Sequence, residues 1–372
     1  ARSAQTIRRM RQMAEQTWAL RAQRVVTPFH TVEDGVVVVQ DGRIAQVGAA
    51  AEVVVPPDAV VRDFGARTIA PGLVDVHAHG YGGHNAGESV ETTVGIARAF
   101  AATGVTSFLA TTSMAPTLEG VLEQLRIARA AMKANPDGAE ILGIHSEGPF
   151  ISRAGKGPYD RYAPSGLSAG LMARDPSVAE MRQMVEAAEG ALRIMSLAPE
   201  LPGALEVIRE LASLGIVASA AHTTASYEET MRAVDAGLRS ATHLYNGMRR
   251  QDHREPGVIE AILSCDAVKA ELIGDGVHVL PPAMEIALRC KGLDGIVLIT
   301  DSYKLAGLPN GVYRDEQGRE IVKDDEKAHV PGWSLAGSIS PLSRNVWNLV
   351  RWLGRPLAEA LRLAAVNPAK LI

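Results

Sequence analysis

The sequence predicts an α/β protein, a (β/α)8 TIM-type barrel with a small β-sandwich domain built largely from the N-terminal segment. Three observations point there. Eight short apolar runs alternate with helical stretches after residue 71, the pattern of a buried parallel sheet. Polar residues cluster just past the ends of those runs, where a barrel carries its chemistry. The 372 residues are long enough for a barrel with an appendage, and 47% hydrophobic with 22% charged residues is ordinary for a globular chain.

In chain order, residues 1–20 form an arginine-rich extension, read as a solvated helix or leader. Residues 21–70 form the small β-rich domain. Its clearest signal is "GVVVVQDGRIAQVG", two β runs joined at Asp41-Gly42, a type I′ hairpin pair. Residues 71–372 form the barrel. Its strands are expected at 73–76, 106–110, 141–144, 192–197, 216–220, 240–244, 269–273 and 296–300, with a doubly wound open sheet as the competing arrangement. Between strands, "SYEETMRAVDAG" carries a Ser226/Glu229 capping box and a closing Gly237. Residues 303–334 read as a polar β-hairpin excursion, and Trp347 and Trp352 as core residues of a following helix.

The formal net charge of −4 argues against nucleic acid as a partner, and no apolar run reaches the roughly 18 residues of a membrane span. Cys265 and Cys290 are the only cysteines, which excludes a disulfide framework and a thiolate metal site. A cytoplasmic location is expected.

The polar residues at the expected strand ends have a common chemistry. Strand one ends in His77-Ala78-His79, two residues that an extended chain points to one side. Strand three ends in His145-Ser146-Glu147, strand five in His222, strand six in His243, strand seven in Asp275 to His278 and strand eight in Asp301. His77, His79, Glu147, His222, His243 and Asp301 together make a nitrogen/oxygen site for one or two divalent ions. Zinc is the first choice, with iron, manganese, cobalt or nickel as alternatives. Asp301 is placed to move protons for a metal-activated water.

With these residues noted, "APGLVDVHAHG", "HSEGPF", "AHTTAS", "THLYNGM", "HREPG", "DGVHV", "LITD" and "SLAGS" resemble, in order and spacing, the amidohydrolase superfamily and within it the N-acetylglucosamine-6-phosphate deacetylase family. The resemblance runs from about residue 21 to the end. It implies hydrolysis of the acetamide of N-acetylglucosamine 6-phosphate by a metal-activated water, with Asp301 as general base and acid. It implies Glu147, His222 and His243 as principal metal ligands. Substrate contacts are implied at Asn246, Gly247, Asp275, His278, Leu335, Ala336 and Gly337, and at Arg254 reaching across a homodimer. Family members also continue past the point matching Ile372 with strands that complete the small domain.

Two departures bear on the substrate. The family's Lys-Gly-Ala-His segment is here Lys156-Gly157-Pro158-Tyr159, so Pro158 replaces the alanine and Tyr159 the histidine that polarises the carbonyl. Tyr159 can still donate a hydrogen bond. Ser302-Tyr303-Lys304 follow Asp301, where the family has alanine first. The same chemistry on N-acetylgalactosamine 6-phosphate or another N-acyl compound is therefore an alternative. A deaminase and a non-catalytic scaffold are remoter ones, the latter opposed by the complete ligand set.

Overall fold

The computed structural model describes residues 16–134, 137–153, 172–315, 318–332 and 335–372. Pro158 and Tyr159 therefore lie outside the described residues, as does most of the expected extension. The chain separates into two compact units at Pro71/Gly72.

In the first unit, β1 (Trp18–Val26), β2 (Thr31–Gln40), β3 (Arg43–Ala49), β4 (Val60–Asp63) and β5 (Thr68–Ile69) form a five-stranded sheet. β1 runs antiparallel to β2 and parallel to β4 and β5. The sheet thus begins at Trp18, inside the segment read as an extension. Among the described residues it is a single hydrogen-bonded sheet, the small β domain that the sequence places near the N-terminus. Gln40 pairs with Arg43 across the turn. Asp41 and Gly42 both have positive φ, 51° and 70°, as a type I′ turn requires. Ala19, Val36 and Val38 form a small core cluster, and the run Gly35–Val38 of β2 is buried throughout.

The second unit contains all eight expected barrel strands: β6 (Leu73–Ala78), β9 (Val105–Thr112), β10 (Glu140–Glu147), β11 (Leu192–Leu197), β12 (Val217–Ala220), β13 (Ser240–Ala241), β14 (Lys269–Ile273) and β15 (Ile296–Ile299). Between β6 and β9 lies a minor hairpin of β7 (Gly80–Tyr81) and β8 (His84–Asn85). The eight strands are parallel and neighbour one another in chain order.

β6 and β15 then meet, which rules out the open sheet. The Asp301 N–H donates to the His77 carbonyl at 2.9 Å, and the His79 and Gly80 N–H groups donate to the Ser302 carbonyl at 3.1 and 3.0 Å. Behind that seam the Thr300 hydroxyl donates to Asp75 Oδ2 at 2.6 Å. Val74, Val76, Leu109, Ile194, Ile273, Val297 and Ile299 form a buried apolar cluster on these strands.

Outside the ring, Ser226 and Glu229 cap the helix Tyr227–Ala236 and Gly237 closes it. Past β15 come β16 (Gly311–Arg314), β17 (Glu320–Lys323) and β18 (Ala328–His329), an antiparallel excursion. It has its own cluster of Leu305, Ile321, Ala328 and Ala336. The helix Leu342–Leu353 corrects one reading. Trp347 and Trp352 are 57% and 42% exposed rather than core. The helix buries Leu342, Asn345, Val346, Asn348 and Leu349; Trp347 falls off that stripe, while Trp352 continues it in the last turn and stays half-exposed.

Candidate metal centre and catalytic carboxylate

The centre is assembled where β6, β10, β12, β13 and β15 end. β6 delivers both histidines of His77-Ala78-His79 to one side, with their Nε2 atoms 3.3 Å apart. β10 ends on Glu147, whose Oε2 lies 3.0 Å from His79 Nε2. Its Oε1 lies 3.0 Å from His222 Nε2 and 2.8 Å from His243 Nε2. The latter two nitrogens are 3.1 Å apart. Asp301 Oδ1 faces the β6 pair, 3.4 Å from His77 Nε2 and 3.6 Å from His79 Nε2.

Three of these residues are held in left-handed backbone: His222 at φ 43°, His243 at φ 37° and Asp301 at φ 51°. Side chains avoid this region, at a cost on the order of 1–3 kcal/mol each, and such strain collects at functional sites. Here it falls on the second residue past the end of each of β12, β13 and β15. It also explains why β13 stops at Ala241, short of the expected 244. Gly247 makes room for the ring of His222: a Cβ there would sit 2.7 Å from Nδ1.

Two overlapping groups each hold their ligand atoms within 4.8 Å of one another: His77, His79 and Glu147, and Glu147, His222 and His243. Glu147 belongs to both. Two pairs of Nε2 atoms, 3.3 and 3.1 Å apart, present facing lone pairs that only protons or a cation can reconcile. With no thiolate present, this donor set fits a first-row divalent ion. Burial holds the His77 imidazole well below its ordinary pKa, so it is neutral, as a ligand must be. Burial alone would raise Glu147, but the charge of His222 and hydrogen bonds to His222, His243 and His79 hold it well below the usual carboxylate range. Asp301 is pushed well above that range, first by burial and then by the charges of Glu147 and Glu271. One carboxylate is thus a committed anion and the other a proton holder, the pairing an acid/base site needs.

A third cluster, His77, His145 and Glu271, lies wholly buried behind the centre. Its imidazoles are already hydrogen-bonded. His145 donates to or accepts from Ser196 Oγ through Nε2 at 2.7 Å, while Nδ1 sits 3.1 Å from the Val76 carbonyl. His145 thus turns inward, although its position at a strand end grouped it with the others.

The remaining expected contacts fall around the centre unevenly. The Asn246 amide donates to the His243 and Leu244 carbonyls, both at 3.3 Å. Asp275 accepts from His278 Nδ1 at 2.7 Å and from the backbone N–H of Val277 and His278. Leu335, Ala336 and Gly337 lead into Ser338, whose N–H donates to the Asp301 carbonyl at 3.0 Å. Arg254 stands in an exposed loop, its backbone N–H bonded to Asp252 Oδ1 at 2.8 Å. Two contributors escaped the sequence reading. Ser113 Oγ lies 3.0 Å from His79 Nδ1, and Glu271 Oε2 lies 2.9 Å from His77 Nδ1. A charge inside the apolar run "KAELI" was the available signal for Glu271; Ser113 carried none.

Comparison with known proteins agrees with this geometry. The family model described as the amidohydrolase family matches residues 68–311. The N-acetylgalactosamine-6-phosphate deacetylase of Escherichia coli O157:H7 is 34% identical over 96% of this chain and 90% of its own length. The N-acetylglucosamine-6-phosphate deacetylase of Vibrio furnissii is 34% identical over 94% of this chain and 84% of its own. Among solved structures, a mutant N-acetyl-D-glucosamine-6-phosphate deacetylase from Mycobacterium smegmatis, in complex with N-acetyl-D-glucosamine-6-phosphate, superposes with a TM-score of 0.84 at 34% identity. It covers 96% of this chain and 90% of that one. The chain therefore belongs to the amidohydrolase family and, within it, to the N-acetylglucosamine-6-phosphate deacetylases.

Proposed function

We propose that this chain hydrolyses the acetamide of N-acetylglucosamine 6-phosphate to glucosamine 6-phosphate and acetate. The observation that carries the reading is the pairing of Glu147, shared by two histidine groups, with Asp301 a few ångströms away on the same rim. Glu147, His222 and His243 would hold one divalent ion, and His77 and His79, with Glu147 and Asp301, a second; zinc is the first candidate. An ion bound there polarises the acetyl carbonyl and eases deprotonation of water.

Asp301 accepts the proton of the attacking water as the new C–O bond forms. It returns that proton to the nitrogen as the C–N bond breaks, releasing the amine and acetate. An environment that favours its protonated form suits the second half of the cycle. Tyr159 donates to the acetyl oxygen, beside Pro158. Asn246 and Gly247 receive the phosphate together with Arg254, whose fork matches phosphate geometry and which reaches in from the second copy of a homodimer. Asp275 and His278 contact the sugar, against the backbone of Leu335, Ala336 and Gly337. No helix among the described residues is long and apolar enough to cross a membrane, and we place the reaction in the cytoplasm.

A second reading keeps this chemistry and exchanges the sugar for N-acetylgalactosamine 6-phosphate. The Escherichia coli relative bearing that name is as similar as those bearing the other. Acetate release from both epimers, with and without the 6-phosphate, on metal-reconstituted protein separates the readings. Equal turnover of phosphorylated and free sugars would remove phosphate recognition, and no release from any of them would end the hydrolase reading.

A further inference from the structure

We infer that Glu271 is the positioning residue of the metal centre: it fixes the proton of His77 on Nδ1, so that the Nε2 lone pair is presented to the ion. The inference rests on the metal centre proposed above and goes beyond its ligand set. Glu271 lies in the middle of β14, fully buried, in a run that is otherwise apolar apart from its exposed-side lysine. An ionisable group in such a place is costly unless it is bonded. Its Oε2 sits 2.9 Å from His77 Nδ1 and 3.3 Å from the backbone nitrogen of His243.

The second contact supports one direction for the first. A backbone N–H can only donate, and an ionised Oε2 that accepts from it accepts from His77 as well, with the proton of that bond on the imidazole. The other nitrogen of His77 is then unprotonated, and it is the one that faces His79, Glu147 and Asp301. One oxygen therefore holds His77 by its ring and His243 by its backbone, tying a ligand from each of the two groups. Among the described residues, His79 has the hydroxyl of exposed Ser113 behind its Nδ1. A hydroxyl can donate or accept, so it does not dictate the tautomer. Carboxylates behind ligating histidines serve in this way at metal sites generally, and their loss costs about 10–100-fold in metal affinity.

The test is a titration of metal-free protein with cobalt(II), read by visible absorption against a competing chelator, on wild type, E271L, E271Q, H77Q and the H77Q/E271L double variant. E271L should weaken binding by about 10–100-fold. E271Q, which keeps an oxygen to accept from Nδ1–H, should recover most of that loss. In the H77Q background E271L should cost clearly less, the remainder being the lost contact with the His243 backbone. Wild-type affinity in E271L, a glutamine variant as weak as the leucine one, or an undiminished loss in the H77Q background would each overturn the inference while leaving the metal centre standing. Wild-type protein that binds no cobalt, or binds it as H77Q does, would remove His77 from the centre and the inference with it.

Discussion

The two histidine groups of the centre are built by different means. His77 and His79 come from one strand, two residues apart, and ordinary extended backbone aims both at the same point. Glu147, His222 and His243 come from three strands, and the two histidines reach the glutamate only through left-handed backbone past β12 and β13. The first group needs no more than a strand; the second exists only once the barrel has closed. The first was accordingly readable as a motif, and the second only as a coincidence of strand ends. Glu147, common to both, makes one centre of two constructions.

The sharpest test of this comparison removes the carboxylate that faces the β6 pair. Asp301→Asn should lower turnover by about 10²–10⁴-fold, the range of a lost general base or acid, while elemental analysis still finds the ion held by Glu147, His222 and His243. Near wild-type acetate release would take Asp301 out of the chemistry.

Next comes the division of labour between the groups. Glu147→Gln should bring bound metal close to zero, because it removes the anion from both sides. His77→Gln combined with His79→Asn should remove one ion per chain and leave the other. An unchanged ion count in the double variant would reduce the centre to the Glu147, His222 and His243 group.

A smaller effect is expected from the exposed loop. Arg254→Ala should raise KM for the phosphorylated sugar by about 10–100-fold, equivalent to the roughly 1.5–3 kcal/mol of a charged hydrogen bond, with little change for the free sugar. Parallel KM changes for both would dismiss Arg254 as a phosphate contact.

The smallest concerns the seam under the first group. Burial pushes the Asp75 carboxyl up to about 7, against the hydrogen bonds it receives from Thr300 and His77. The folded chain therefore keeps a proton that the unfolded chain, with a pKa near 3.9, has lost. This contribution is fully present below about pH 4 and is lost as pH rises through about 7. Asp75→Asn cannot titrate, so Tm of wild type relative to the variant, measured without metal, should fall by a few degrees from about pH 4 to 8. A constant difference would show that the carboxylate sits there ionised throughout.

The fit between sequence and structure follows the reach of each interaction. The eight strands, the Asp41-Gly42 hairpin and the Ser226/Glu229 cap rest on contacts within a few residues, and the structure reproduces them. The inward turn of His145 and the exposure of Trp347 and Trp352 were not legible. Each depends on which face a distant element covers, and neither periodicity nor composition specifies that.

By itself the sequence determined the order of strands and helices, the parallel pairing that such alternation forces, and the kind of donor available at each strand end. Hydrophobic periodicity and residue chemistry are local properties, so a linear reading captures them. Only the tertiary structure decided that β6 meets β15, that His222, His243 and Asp301 adopt left-handed backbone, and that Glu271 lies behind His77 from 194 residues away. Those outcomes arise from ring closure, where the packed barrel supplies the energy to hold strained backbone and a buried charge in place.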